Sequence, residues 1–436
     1  MIAPAPSYDP WAWLLWGREI AHGTLSTAEG PAFKPLTVAV CTLLAPLGAA
    51  APTIWVILAR TGAVLAVVLA FRIGRELGGA ATARGAFRGA ATLTGIVAAA
   101  GVALCGDLVG YSAAGAEPGW TIALALLGFE AWRSGRPRSA LACGVACALL
   151  RVEAWPFLLA FGLLLWRRRP QDRALLVACA VAVPALWFVP EWLGSGDVLR
   201  SGSRARTPNP GQPATEAFPA FAALREAGAL LLFPLWLGAL FAPRAARPLL
   251  FAGLAWIALV AVMAQAGFSG EPRYSLPGGA LVAIAGAAGL AALAGRWRES
   301  GARSAPATRS WQGAVVPVAA VALLLVAAAP KLADLPDLRR DQAYQRGLAA
   351  DLRHAIVAAG GREAVLACGR PYVGDLRGPL LAYHLDVEKR RVQFVPRPPG
   401  AVFRSRLGPD SPVEPVVSSA FTERAREGRW TVLQAC

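Results

Sequence analysis

Ten stretches of nearly continuous apolar residues occupy much of the chain before position 330, separated by short polar breaks or by breaks that contain Pro and Gly. A helix needs about 20 apolar residues to span a bilayer, so this pattern predicts an all-α polytopic membrane bundle with about ten transmembrane helices. The stretches 139–150 and 154–166 are short, and they form either two helices or one long broken helix. The predicted spans are 54–71, 89–110, 118–132, 139–150, 154–166, 174–191, 227–242, 249–268, 274–294 and 313–329.

The polar and apolar pattern changes after the last stretch. Residues 331–436 hold 29 charged residues in 106 positions and no apolar run long enough to span a bilayer. An apolar stripe with helical spacing predicts a helix over 336–359, with a second, short helix at 378–386. The sequence therefore predicts an outer loop with interfacial helices (1–53), the bundle (54–330) and a small α/β extracytoplasmic C-terminal domain (331–436). Strands are predicted at 363–368, 391–395, 400–404 and 429–435.

The distribution of charge gives the predicted orientation. The chain is 56% apolar and 16% charged, with a net charge of +16, whereas soluble domains average about 25% charged residues. One alternate set of loops holds 17 Arg and four acidic residues. This asymmetry indicates cytosolic basic loops, with both chain ends outside the plasma (inner) membrane. Because the positive charge is explained by topology in the lipid bilayer, nucleic-acid binding is not expected. The basic loops are 72–88, 130–138, 167–173, 243–248 and 295–312.

Two further expectations follow from this orientation. Residues 1–35 are predicted to lie outside although no apolar segment precedes them, so we expect that Met1 is an internal start and that an upstream transmembrane helix is missing. Cys368 and Cys436 are the two cysteines of the outer C-terminal segment. An oxidising compartment permits a disulfide between them.

Four charged turns fall on the predicted outer side, where charge near helix ends indicates function. The first, Ser7–Trp13, contains Tyr8 and Asp9; Asp9 is either a reactive carboxylate or a cap of an interfacial helix carrying Trp11, Trp13 and Trp16. The second places Lys34 before an apolar helix at 37–50, as a phosphate ligand or as a snorkelling side chain.

The other two turns contain Asp107 with Glu117-Pro118, and Arg151-Val152-Glu153. Each is alternatively a helix cap or a satisfied turn. A short turn with Glu271 and Arg273 lies on the same predicted side and is a further candidate for the wall of a site.

An outer acid followed by a Lys-Pro pair and a bundle of ten or more helices resembles the GT-C glycosyltransferases, which use polyprenyl-phosphate sugars. Protein O-mannosyltransferases and the aminoarabinose transferase of lipid A belong to this group, and the resemblance covers roughly residues 1–330. It implies that Asp9 is the general base and that Lys34 contacts the lipid phosphate. The Arg-Pro-Glu turn of bacterial members appears as Arg151-Val152-Glu153, with Val in place of Pro.

The resemblance also implies a possible divalent metal, Mg or Mn, although Asp9 stands alone where family members often have two adjacent acids. Transfer from a phosphate leaving group needs a carboxylate to deprotonate the acceptor and cations to stabilise the phosphate. Arg60, Arg204 and Arg206 are further candidate phosphate ligands. The expected partners are a polyprenyl-phosphate sugar and a glycan, lipid or protein acceptor, with inversion at the sugar.

Two other function classes remain open on the sequence. A transporter or lipid flippase predicts charges near the bilayer midplane and repeated halves with broken helices. A non-catalytic membrane protein predicts tolerance to the loss of Asp9 and Lys34 together.

Overall fold

The chain forms a helical bundle followed by a small domain with a mixed sheet. The computed structural model describes residues 2–81, 89–302, 322 and 326–436. The predicted span 313–329 therefore lies largely outside the described residues. The helices of the bundle are α1 (Tyr8–Ala21), α2 (Pro35–Leu44), α3 (Ala51–Ala81), α4 (Ala90–Ala103), α5 (Leu108–Ala113), α6 (Pro118–Arg133), α7 (Pro137–Leu150), α8 (Trp155–Arg168), α9 (Arg173–Ser195), α10 (Arg200–Ala205), α11 (Pro219–Ala229), α12 (Phe233–Ala239), α13 (Arg247–Gln265) and α14 (Pro272–Ala302).

Four helical stretches within the described residues are long and apolar enough to cross a membrane: Pro35–Gly79, Pro170–Ser195, Arg247–Gln265 and Pro272–Arg296. The prediction of ten spans is thus not confirmed. The predicted span 227–242 is wrong as a single helix, because α11 and α12 meet at a 102° bend. Other predicted spans form helices of 14 to 16 residues, such as α4 and α6.

The C-terminal domain contains α15 (Leu335–Ala358), α16 (Gly361–Ala367), α17 (Gly378–Leu385) and five strands. Its strands follow the order β1-β2-β5-β4, with β1 and β2 parallel, β2–β5 and β4–β5 antiparallel, and β3 paired to β2. The strands are β1 (Arg370–Val373), β2 (Gly400–Arg406), β3 (Val413–Glu414), β4 (Thr422–Glu427) and β5 (Trp430–Ala435).

The sequence predictions for this domain are partly correct. Helices at 336–359 and 378–386 and strands at 400–404 and 429–435 match α15, α17, β2 and β5. The strand predicted at 363–368 is wrong, since that run forms α16; a short apolar run does not distinguish a strand from a buried helix turn. The strand predicted at 391–395 is reduced to an isolated bridge between Gln393 and Tyr372. Cys368 and Cys436 form a disulfide.

Helix α1 is buried between the bundle and the C-terminal domain. Trp11, Trp13 and Trp16 are 6%, 0% and 0% exposed, and they share one core with residues of α15 and β5. The prediction that these tryptophans lie in the membrane interface is therefore wrong: Trp11 packs against Tyr383 of the domain, Trp13 against Trp55 and Trp16 against Phe33. Arg18 of α1 donates to the Tyr383 carbonyl at 2.8 Å and pairs with Asp386 at 3.1 Å.

Helices α12 and α14 approach closely at small residues. A Cβ atom on Gly286 would lie 2.2 Å from the Leu235 carbonyl oxygen, and one on Gly289 would lie 1.9 Å from that of Gly238. Small residues allow helix backbones to approach closely in membrane bundles, where van der Waals packing rather than the hydrophobic effect drives helix association.

We expect Gly286→Ala to destabilise the protein by about 2 kcal/mol, because the added methyl group forces α12 and α14 apart. Gly162→Ala is the matched control, since a Cβ atom there meets nothing within 4 Å. Thermal unfolding in detergent compares the two variants with the wild type. Equal midpoints for both would contradict the close approach.

Candidate functional site

Asp9 lies in the first turn of α1, directly after the point at which Ser7 N–H donates to the Ala114 carbonyl at 2.9 Å. Its Oδ2 pairs with Arg273 Nη1 at 2.9 Å, at the start of α14. Arg273 Nε also lies 2.5 Å from Glu271 Oε2. One guanidinium therefore joins the turn that carries Asp9 to the turn that carries Glu271 and Arg273, and the Asp9 carboxylate has a single cationic partner among the described residues.

Lys34 and Arg151 share the carboxylate of Glu117. Lys34 Nζ and Arg151 Nη1 both donate to Glu117 Oε1, the second at 2.9 Å. Arg151 Nη2 donates to Glu153 Oε1 at 3.1 Å. Glu117 is 1% exposed and Arg151 is 3% exposed, so these charges interact in a medium that screens them much less than water does.

Tyr274 connects the two groups of charges. The Arg151 guanidinium carbon lies 4.2 Å from the Tyr274 ring centroid, and that of Arg273 lies 5.4 Å from the same centroid. Cations are attracted to the face of an aromatic ring at these distances. We call the resulting set the charged cluster. Its members are Asp9, Lys34, Glu117, Arg151, Glu153, Glu271 and Arg273.

Glu117 and Asp9 differ in the number of cations that contact their carboxylates. Burial raises the pKa of Glu117, but Lys34, Arg151 and Arg273 outweigh burial and hold this pKa well below its usual range. Burial lowers the pKa of Lys34, and Glu117 opposes that change. Glu117 is therefore a fixed anion that is poorly suited to accept a proton. Asp9 contacts one cation, Arg273.

Three buried polar atoms near Lys34 lack a hydrogen-bond partner within the described part of the chain: Glu117 Oε2, Arg151 Nε and Trp13 Nε1. The Trp13 ring centroid lies 5.1 Å from Lys34 Nζ. Buried polar groups are nearly always satisfied in native proteins, so each of these atoms calls for an explanation. Two of the three are donors, and both are suited to an anionic ligand.

The other sequence-predicted residues lie apart from the charged cluster or beside it. Asp107 caps α5, accepting from Gly110 N–H at 3.0 Å. Arg60 donates to the carbonyls of Ile2, Ala3 and Ala113 at 2.8 to 3.0 Å, which ties the N-terminal residues to the end of α5.

Arg204 donates to the Thr207 carbonyl at 2.6 Å, and Arg206 lies over the Phe268 ring. Tyr8 is half-buried. Burial and then Asp9 raise its pKa to about 12, with Arg204 and Arg200 opposing them, so it keeps its proton at neutral pH. The phosphate-binding roles of the three arginines, Arg60 included, remain predictions.

Sequence reasoning missed several residues that hold this site together. Glu191 is 1% exposed near the end of α9, and a lone acid inside an apolar segment is a usable signal of function. Gln212 donates to Glu271, and it had no signal beyond its place in the long outer loop. Arg200 has no recognisable motif around it, whereas Tyr274 directly follows the predicted turn that contains Glu271 and Arg273.

No protein-family model matches the chain, and no curated protein matches it at a significant level. Among solved structures, the crystal structure of ArnT from Cupriavidus metallidurans bound to undecaprenyl phosphate matches 100% of this chain and 94% of that chain, at 17% identity and a TM-score of 0.50. The apo-state crystal structure of that protein matches with the same coverage, at 18% identity and a TM-score of 0.45.

The match to the undecaprenyl phosphate complex shows the fold. ArnT, an aminoarabinose transferase, has the GT-C glycosyltransferase fold, so the fold expected from the sequence resemblance is confirmed. The chain is a mostly helical, multi-pass membrane protein with a small C-terminal sheet.

We expect Glu117→Gln to destabilise the protein by about 3 kcal/mol, because it leaves Lys34 and Arg151 buried without their shared anion. Glu130→Gln is the matched control on the same helix, since Glu130 pairs with the exposed Arg72 at 3.4 Å. Its cost should be below about 1 kcal/mol. Thermal unfolding in detergent measures both, and equal losses would contradict a special role for Glu117.

Glu19 of α1 gives a pH-dependent prediction. Burial raises its pKa from 4.5 to about 7, against the opposing hydrogen bond from Ser26 N–H. The unfolded chain releases this proton at lower pH than the folded chain does, so the stabilisation is complete below pH 4.5 and is lost as the pH rises to about 7. Relative to the wild type, Glu19→Gln should gain stability between pH 5 and pH 8. Unfolding midpoints across this range test it; parallel profiles would contradict the raised pKa.

Proposed function

We propose that this protein is a GT-C-type glycosyltransferase that transfers a sugar from a polyprenyl-phosphate donor to a hydroxyl acceptor at the charged cluster. The observation that carries the proposal is the convergence of three cations and a separate carboxylate, Asp9, from four distant turns of a GT-C fold. The fold match supports the class of donor, since that ArnT crystal structure contains undecaprenyl phosphate. The site is proposed to face outward from the plasma membrane, as the charge distribution predicts.

The cations serve the leaving group. As the sugar–phosphate bond breaks, negative charge develops on the departing polyprenyl phosphate, and preorganised cations stabilise that charge in a site that excludes water. Lys34 supplies a compact ammonium group, and Arg151 Nε and Trp13 Nε1 supply unpartnered donors beside it. Glu117 keeps Lys34 and Arg151 in place through its Oε1.

Asp9 serves the acceptor. Its carboxylate takes the proton of the acceptor hydroxyl while that oxygen forms a bond to the anomeric carbon from the face opposite the phosphate. The bond from the anomeric carbon to the phosphate oxygen breaks with its electron pair, and polyprenyl phosphate leaves. A single displacement of this kind inverts the sugar. Arg273 orients Asp9 through its 2.9 Å ion pair.

A divalent metal, Mg or Mn, was a further expectation from the family resemblance. In the described residues, no group of three or more His, Cys, Asp or Glu side chains is arranged to hold a metal ion. Asp9 and Glu271 are each paired with the Arg273 guanidinium. The residues present do not fit such an ion, and the mechanism above assigns no step to one.

We expect Asp9→Asn to slow sugar transfer by about 10²- to 10⁴-fold, because it removes the proton acceptor while keeping the shape of the side chain. Transfer is measured in proteoliposomes with labelled polyprenyl-phosphate sugars, as release of polyprenyl phosphate. Asp197→Asn, in the exposed outer loop, is the matched control and should keep wild-type activity. Undiminished transfer by Asp9→Asn would contradict the role of Asp9 as the general base.

A further inference from the structure

Lys34 is placed by an irregular part of the chain. Residues 24–34 form bends and irregular backbone, with α2 beginning directly after Lys34. Neither helix nor sheet hydrogen bonds fix the backbone that leads to Lys34, so the position of this backbone depends on side chains that reach the segment from elsewhere, while Glu117 contacts the ammonium group itself. We call residues 24–34 the lysine segment.

Two adjacent residues of α10 hold the lysine segment. Arg200 Nη1 and Nη2 donate to the carbonyls of Pro31 and Gly30 at 2.6 and 2.7 Å. Ser201 Oγ accepts from Phe33 N–H at 2.8 Å, one residue before Lys34. Gly30 has a φ of +122°, and a Cβ atom there would lie 2.9 Å from the Trp16 ring. The turn therefore lies against α1 on one side and is held by α10 on the other.

Glu191 joins these contacts. Its Oε1 accepts from Ser201 Oγ and lies 3.6 Å from Arg200 Nη1, while its Oε2 accepts from Thr27 Oγ1 at 3.1 Å. Thr27 N–H donates to the Gly194 carbonyl in the same last turn of α9. One carboxylate that is 1% exposed thus anchors both the start of the lysine segment and the α10 residues that hold its end.

We propose that Glu191 is a positioning residue for Lys34. The Ser201 hydroxyl donates to Glu191 and accepts from Phe33, so the carboxylate fixes the direction of the hydroxyl and, through it, the backbone next to Lys34. Among the described contacts Glu191 makes no hydrogen bond or ion pair with Lys34, so its effect is transmitted through Ser201, Arg200 and the Phe33 backbone N–H that faces the same carboxylate. The consequence for binding a donor phosphate rests on the proposed function; the placement of Lys34 does not.

A direct test uses the scarcity of lysine, since the chain contains Lys34, Lys331 and Lys389 as its lysines. The purified wild type and Glu191→Ala are labelled with an amine-reactive ester, and the rate at each lysine is followed by mass spectrometry. We expect Lys34 to react about tenfold faster in Glu191→Ala, the scale of one lost buried hydrogen bond. Lys331, held by the carbonyls of Leu104, Gly106 and Leu230, is the internal reference and should not change.

The matched control is Asp172→Ala. Asp172 is a buried acid at the other end of α9, and it pairs with Arg138 and Arg169 at 2.7 Å. Its loss should destabilise the protein without changing the reactivity of Lys34. If Lys34 is unchanged in Glu191→Ala, or if Lys331 accelerates equally, the positioning role is overturned. Should Glu191→Ala fail to fold, Ser201→Ala replaces it, with Ser201→Thr expected to restore slow labelling.

Binding of undecaprenyl phosphate in detergent gives the second readout, with Lys34→Ala, Glu191→Ala and the double variant. We expect Glu191→Ala to weaken binding about tenfold, with little further loss when it is added to Lys34→Ala, because the two changes act on one interaction. Independent, multiplied losses would overturn the positioning role alone. Absence of binding by the wild type would instead overturn the proposed donor, and the labelling rates would still decide whether Glu191 places Lys34.

Discussion

The structure of the site depends on one buried carboxylate shared by two cations. Glu117 receives Lys34 and Arg151 on a single oxygen, and this contact joins α2, α6 and the turn after α7. Burial of three such charges carries a large desolvation cost, which their mutual attraction offsets only while all three are present. The arrangement is therefore better explained by the need to keep cations at a defined place than by stability alone.

The structure brings seven of the predicted candidate residues together and leaves Tyr8, Arg60, Asp107, Arg204 and Arg206 outside their ion pairs. These seven could be proposed from the sequence, because charge at the ends of apolar helices is rare and costly. Glu191 and Arg200 were not identified, since the contacts that tie them to the site, from Thr27 to Glu191 and from Arg200 to the Gly30 and Pro31 carbonyls, join residues more than 160 positions apart. Hydrophobic patterning alone does not contain such pairings.

The helices of the bundle were also predicted with unequal accuracy. Long apolar stretches such as 249–268 became helices close to their predicted bounds, whereas 227–242 became two helices at a steep angle. The bend lies at Leu230–Leu232, in an apolar run that contains Pro234 among its few break signals, and Pro is also favoured at the start of a helix. The tryptophans of α1 were misplaced for a related reason: an aromatic belt and a buried interface have the same composition, and only the covering domain distinguishes them.

That covering domain also shows why the chain is not modular. The core that contains Trp11, Trp13 and Trp16 is completed by Leu348, Leu352 and Trp430, so both the bundle and the domain contribute residues to it. Recombination that exchanged the C-terminal domain with that of a distant relative would have to exchange the outer face of α1 as well. The two parts of the chain are therefore expected to change together over evolutionary time, although a boundary drawn at residue 331 suggests separate histories.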